Sequence, residues 1–114
     1  MDMKDALGAF GALSQKTRLE VFRLLIRAGD AGMTAGEIGE ALDVRQNTMS
    51  ANLAVLLQSG LVRNEREGRS IRYFADLDGI RELLTFLMAD CCGGHPELCA
   101  QVIETIACGE TCSG

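Results

Sequence analysis

The stretch from Thr34 to Ala75 constrains the fold more than any other part of the chain, because two helix patterns and two β-prone runs follow one another there without a linker. Thr34 followed by Glu37 has the spacing of a capping box, in which hydroxyl and carboxylate each satisfy a backbone N–H that the first turn of a helix leaves unpaired. The short helix that starts there should carry Ile38, Ala41 and Leu42 inward. After Asp43 and Val44, residues 45–59 place Met49, Leu53, Leu56 and Leu57 on one stripe, and Gly60 stops them. The opposite face, with Gln46, Asn47, Ser50 and Asn52, is polar but barely charged. Residues 61–66 and 69–75, joined by Glu67 and Gly68, then predict an antiparallel hairpin.

The flanking segments read as helices. Leu7, Phe10, Gly11 and Leu13 suggest a short, weakly capped helix over 5–13 with one sticky face. Ser14 is placed to cap a second helix, in which Leu19, Phe22, Leu25 and Ile26 keep a 3.6-residue period until Gly29, Asp30 and Gly32 stop it. Downstream, a helix starting near Asp78 carries the stripe Ile80, Leu83, Leu84, Leu87 and Met88 and should end at Gly93 and Gly94. Pro96 suits the first turn of a last helix, with Leu98, Val102 and Ile106 as its buried side.

At 114 residues and 47% hydrophobic content, the chain supports one core and not two independent domains. We expect a domain over 1–90 with 91–114 as its cysteine-rich C-terminal segment. No run of about 18 apolar residues is present, and the N-terminus lacks the layout of a secretion signal, so a soluble cytoplasmic protein with no membrane contact is expected. In that compartment five cysteines read as thiols, metal ligands or redox switches and not as a disulfide framework. The net charge of −5 hides an uneven distribution: residues 1–75 net +1 and residues 76–114 net −6. Within the first part Arg63, Arg66, Arg69 and Arg72 recur every third residue.

Two short helices joined by a tight turn, followed by a basic hairpin, make a winged helix-turn-helix, a mainly α fold with a small β-hairpin. An α-helix fits the major groove of DNA, where side chains of the second helix can read base edges while wing arginines reach flanking phosphates. The candidate contacts are Arg45, Gln46, Asn47, Thr48, Ser50, Ala51 and Asn52 on that helix, and Arg63, Arg66, Arg69 and Arg72 on the wing.

The run Leu13-Ser14-Gln15-Lys16-Thr17-Arg18-Leu19, the run Thr48-Met49-Ser50-Ala51-Asn52-Leu53 with Leu56, Leu57, Gly60, Leu61 and Val62, and Arg66-Glu67-Gly68-Arg69 before Tyr73 together resemble the ArsR/SmtB metalloregulators over about residues 7–90. The resemblance implies a homodimer paired through the first helix and the helix at 79–90, bound to a pseudo-palindromic operator as a repressor until an inducer arrives. It makes Leu7, Phe10, Ile80, Leu83, Leu84 and Leu87 the candidate dimer interface.

The sensory chemistry should lie in Cys91-Cys92-Gly93-Gly94-His95-Pro96-Glu97-Leu98-Cys99. Adjacent helical residues point about 100° apart, so Cys91 and Cys92 converge on one ion only where the chain unwinds, which Gly93 and Gly94 permit. Pro96 would then start a helix that returns Cys99 to the pair, with its thiolate favoured near the helix N-terminus. Trivalent arsenic or antimony prefers three thiolates. The stretch is also similar to the C-terminal cysteine site of one group of arsenic-responsive family members. It departs from the family's Cys-x-Cys site at the first reading helix, since residues 33–42 hold no cysteine. Zinc on the three thiolates and His95 lacks the usual Cys-x2-Cys knuckle. Cadmium, lead and oxidation of the vicinal pair remain competing signals. Cys108 and Cys112, four apart, offer an accessory site. A thiol enzyme is disfavoured, because no anion loop adjoins a cysteine and no Cys-x-x-Cys occurs. A metal-buffering module that never binds DNA would leave the basic hairpin without a role.

Overall fold

The computed structural model describes residues 1–88. Five helices and a three-stranded antiparallel sheet follow the order α1 (Met3–Leu13), α2 (Lys16–Ala28), a 3-10 turn (Gly29–Ala31), β1 (Met33–Thr34), α3 (Ala35–Leu42), α4 (Gln46–Gln58), β2 (Val62–Glu67), β3 (Ser70–Ala75) and α5 (Leu77–Met88). This is the mainly α winged helix-turn-helix that the sequence predicts.

The core lies where α2, α3, α4 and α5 converge, with Val21, Leu25, Ile38, Met49, Leu53, Leu56, Leu61 and Leu83 among its fully buried side chains. Helix α2 departs from the expected stripe: it buries Val21, Phe22 and Leu25 and leaves Leu19 and Ile26 exposed. Its N-cap is Gln15, whose side chain accepts from the Arg18 N–H at 2.9 Å, whereas Ser14 closes α1. In α3, Ile38 is buried and Leu42 half-buried, but Ala41 is exposed because Gly39 takes the inward position.

Helix α1 starts two residues before the expected boundary and is well capped. The Asp2 carboxylate accepts from the Asp5 N–H at 2.8 Å, and the Asp5 side chain reaches back to the Asp2 N–H. Its inward face is Ala6, Ala9 and Ala12. Three small residues let α1 lie close against the core, which turns its large side chains away: Leu7 is 62% exposed and Phe10 38%. Helix α5 is capped by Asp76, whose carboxylate accepts from the Gly79 N–H at 3.1 Å. Leu83 corrects an expectation here: at 1% exposure it is core of its own subunit and not a surface for a second one. Ile80 and Leu84 are half-buried, and Leu87 is exposed.

The sheet runs β1-β3-β2. Strand β1 was not legible, because two residues directly before a helix cap show no alternation; Met33 pairs with Tyr73 and Thr34 with Arg72. The hairpin register pairs Val62 with Ala75, Arg63 with Phe74, Asn64 with Tyr73, Glu65 with Arg72, Arg66 with Ile71 and Glu67 with Ser70. Its turn is therefore Gly68-Arg69, one residue beyond the expected position, and Gly68 adopts the left-handed φ of +64° that a side chain disfavours. No described helix is long and apolar enough to cross a membrane. Cys91, Cys92, Cys99, Cys108, Cys112, His95 and the helix expected after Pro96 lie outside the described residues.

Candidate nucleic-acid interface

The unit that presents side chains outward is α3, its turn and α4. The α3 capping box forms as the sequence predicts: the Thr34 N–H donates to Glu37 Oε1 at 2.8 Å and the Glu37 N–H to Thr34 Oγ1 at 3.2 Å. The first of these bonds does most to hold the Glu37 carboxyl below its ordinary pKa; desolvation opposes it, and the Thr34 hydroxyl and the Arg72 guanidinium add smaller lowering contributions. At the other end of α3, Asp43 takes a left-handed conformation, φ +55°, and the Val44 N–H donates to the Gly39 carbonyl at 2.9 Å. A Cβ at Gly39 would stand 3.0 Å from the Val44 carbonyl oxygen, so glycine there lets the turn close tightly. Three residues, Asp43, Val44 and Arg45, connect the two helices.

Helix α4 buries Met49, Leu53 and Leu56 and exposes Gln46, Asn47, Thr48, Ser50 and Ala51. This exposed face carries amides, hydroxyls and the methyl groups of Thr48 and Ala51 but no charge, a composition that matches the donors, acceptors and thymine methyls of base edges. The first turn has no side-chain cap. Asn47 Oδ1 accepts from the Thr48 N–H at 2.8 Å, which orients the amide, while Gln46 has no protein partner among the described residues. Arg45, at the N-cap position, is exposed and forms no ion pair among the described residues.

Asn52 is a correction. It stands three residues after Met49 and four before Leu56, which places it on the buried side of the helix, and at 8% exposure it cannot face a groove. Its Oδ1 accepts from Arg18 Nη1 at 3.3 Å.

The wing arginines divide into two kinds. A spacing of three alternates between faces of a strand whose side chains repeat every two residues. Arg63 and Arg72 share a face with Glu65 and Glu67. Arg63 lies 4.4 Å over the Phe74 ring and pairs with Glu65 at 3.5 Å. Arg72 pairs with Glu67 at 3.2 Å and Glu37 at 3.6 Å and donates to the Ala31 and Gly32 carbonyls. Contrary to expectation, Arg72 thus acts as a brace between the wing and the start of α3, and Arg63 as part of the wing base. Arg66, on the opposite face, and Arg69, in the turn, are exposed and without ion pairs among the described residues. Arg18, which the sequence reading did not single out as a site residue, is the other guanidinium engaged inside the fold; its signal was its place in the run from Leu13 to Leu19.

A helix-turn-helix domain family matches residues 13–65. The chain is 32% identical over 89 residues to the biofilm growth-associated repressor of Agrobacterium fabrum, spanning 76% of each chain. Among solved structures it is similar to an ArsR-like transcriptional regulator from Rhodococcus sp., with a TM-score of 0.69 at 28% identity over 91% of this chain and 93% of that one. The chain belongs to the ArsR/SmtB family of winged-helix transcriptional regulators. It is a DNA-binding transcriptional repressor of this family and not an enzyme. A second solved structure, the homodimeric winged helix-turn-helix DNA-binding domain of a Mycobacterium bovis protein, matches with a TM-score of 0.64 at 29% identity over 77% of this chain and 81% of that one. Helix α4 takes the place of the second helix of the helix-turn-helix, and the β2–β3 hairpin that of the wing.

Proposed function

We propose that this ArsR/SmtB-family chain acts as a cytoplasmic homodimer that represses transcription by placing one α4 per subunit in successive major grooves of a pseudo-palindromic operator, and that trivalent arsenic or antimony on Cys91, Cys92 and Cys99 releases it. The observation that carries the DNA-reading half is the uncharged hydrogen-bonding face of α4 beside Arg45, Arg66 and Arg69, which form no ion pair among the described residues. Gln46, Asn47, Thr48, Ser50 and Ala51 read base edges, and the three arginines neutralise phosphates. Pairing is supported by the apolar side chains that one subunit leaves outside, Leu7, Phe10 and Leu87, and by the homodimeric relative from Mycobacterium bovis.

The inducer half rests on three thiols within nine residues directly after α5. Thiolate is the soft donor that a trivalent metalloid selects over oxygen and nitrogen. Bonding all three to one ion fixes the chain at the end of a pairing helix. A small change in how two subunits lie together alters the separation of their recognition helices, which operator half-sites require to match a helical repeat. A preference of a few kcal/mol for the weak-binding arrangement suffices for release. Cys108 and Cys112 supply at most an accessory site.

Native mass spectrometry of the reduced chain, offered arsenite and zinc together with Cys99→Ser alongside, tests this reading. One arsenic per subunit of a dimer, absent from Cys99→Ser, is the expected result. Zinc held in preference, or no ion and a ready disulfide, would transfer the signal to zinc or to thiol oxidation. Full release of DNA by arsenite from Cys99→Ser would remove the three-thiolate site altogether.

A further inference from the structure

We propose that Arg18 is a positioning residue for DNA reading: its guanidinium holds the C-terminus of α1 and the inner face of α4 at once, and so fixes the recognition helix against the pairing helix. This rests on the roles given above to α1 and α4.

The geometry begins with what α1 lacks. The last carbonyls of a helix have no partner within it, and the end carries partial negative charge. No basic residue occupies the last turn of α1. The Gly11 carbonyl accepts from the Ser14 hydroxyl at 2.8 Å and the Ser14 N–H at 3.3 Å, and Arg18, from the first turn of α2, adds the charge and the remaining donors: Nε donates to the Ala12 carbonyl at 2.7 Å and one terminal nitrogen to the Gly11 carbonyl at 3.4 Å. The other terminal nitrogen, Nη1, donates to Asn52 Oδ1 at 3.3 Å. Asn52 is the one buried polar side chain among the described residues, seated between Met49 and Leu56 on the inner face of α4.

A planar guanidinium bonded in three directions tolerates little rotation of either helix. If α1 shifts along or about its axis, the Gly11 and Ala12 carbonyls move, and the fork either follows them away from Asn52 or releases them. Apart from Leu13 at its last position, α1 meets the core through Ala6, Ala9 and Ala12, small side chains that set distance but are poor at fixing register. Arg18 therefore adds the directional part of the α1–α4 contact. Since α1 is the helix whose outer face meets the second subunit in the proposed dimer, the Arg18 contact is what translates subunit placement into the pose of Gln46 to Ala51.

The test uses the full reduced chain, a duplex that the wild type selects from a random-sequence pool, and a scrambled duplex of equal length; the readout is the ratio of the two affinities. Arg18→Met should lower that ratio about tenfold, a typical coupling between groups in contact. Affinity for the scrambled duplex and the salt dependence should stay as in the wild type, because Arg18 donates to protein oxygens and not to phosphate. Asn52→Leu should have the same effect, and the double variant should be no worse than either single one. Arg18→Lys, which keeps the charge but not the fork, should fall between. Should Arg18→Met fail to fold, Arg18→Lys and Asn52→Leu carry the same expectation. An unchanged ratio in the folded variants overturns the proposal. So does an equal loss on both duplexes with a salt slope shallower by about 0.9, which would make Arg18 a phosphate contact. A wild-type chain that selects no duplex would instead overturn the reading of α4, an outcome distinct from both.

Discussion

Helix α1 turns small residues inward and large ones outward, whereas α4 does the reverse. The first buries Ala6, Ala9 and Ala12 and exposes Leu7 and Phe10; the second buries Met49, Leu53 and Leu56 and exposes Gln46, Asn47, Ser50 and Ala51. Fully burying a leucine or phenylalanine is worth about 1.5–3 kcal/mol, so one subunit leaves more stabilisation unused along α1, at Met3, Leu7 and Phe10, than along α4, where Val55 is the exposed large apolar side chain. The contrast separates two kinds of incompleteness. An apolar face is completed by another apolar face, which fits a second copy, while a polar uncharged face is already content in water and gains only from a partner with matched donors and acceptors.

The largest effect should come from spoiling the α1 face. Leu7→Glu alters a side chain that its own subunit hardly covers, so helicity and monomer stability should persist. A charge buried unpaired at a subunit interface should abolish pairing, and operator affinity should fall by about a hundredfold or more as the two half-sites lose their shared dimer. Sedimentation equilibrium and fluorescence anisotropy on the same samples report both. A dimer that survives the charge would place the subunit contact elsewhere and break the comparison at its root.

Next in size is the α4 face. Gln46→Ala removes the exposed amide that has no protein partner among the described residues, and it should cost about 1–3 kcal/mol on the selected operator and much less on unrelated DNA. Loss of equal size on both would show that α4 holds the backbone and does not read sequence. Smaller still, and aimed at the wing, are Arg66→Gln and Arg69→Gln. Each should lower the slope of log affinity against log salt by about 0.9, because each removes an exposed guanidinium free to displace a counterion. Arg63→Gln should leave that slope unchanged, since its charge is shared with Glu65 and the Phe74 ring.

Much of this is legible in the amino-acid sequence. The hairpin, the reading helix, the α3 capping box and the fold class follow from apolar spacing and from the positions of Thr34, Glu37, Gly60 and Gly68. What escaped has identifiable causes. Alanine carries too weak a signal to reveal that α1 uses Ala6, Ala9 and Ala12 as its inner face. The polarity of Asn52 points outward, while its offsets from Met49 and Leu56 place it inside. The four wing arginines were grouped by a period of three, when a strand sorts side chains by two, and only pairing with Glu37, Glu65 and Glu67 reveals which are engaged. Leu83 belongs to a stripe wide enough to serve two surfaces, and periodicity does not say which residue of it points to which.

The smallest effect concerns the support of α4. Its own first turn has no side-chain cap, so its placement leans on α3, whose start is held by Thr34 and Glu37. Thr34→Ala should cost about 1 kcal/mol, the usual worth of an N-cap hydroxyl. Glu37 adds a pH signature. Its folded pKa is lowered, chiefly by the Thr34 backbone N–H, so it contributes stability that is fully present above the ordinary glutamate value and is lost as pH falls through the folded one. Glu37→Gln keeps an oxygen for the Thr34 N–H but does not titrate. Urea unfolding at fixed protein concentration should therefore show the wild type ahead of Glu37→Gln near neutrality and the two converging as the acid range is entered. Curves that stay parallel throughout would mean that the carboxylate charge does nothing for α3, and that the hydroxyl of Thr34 alone anchors the helix on which the reading face depends.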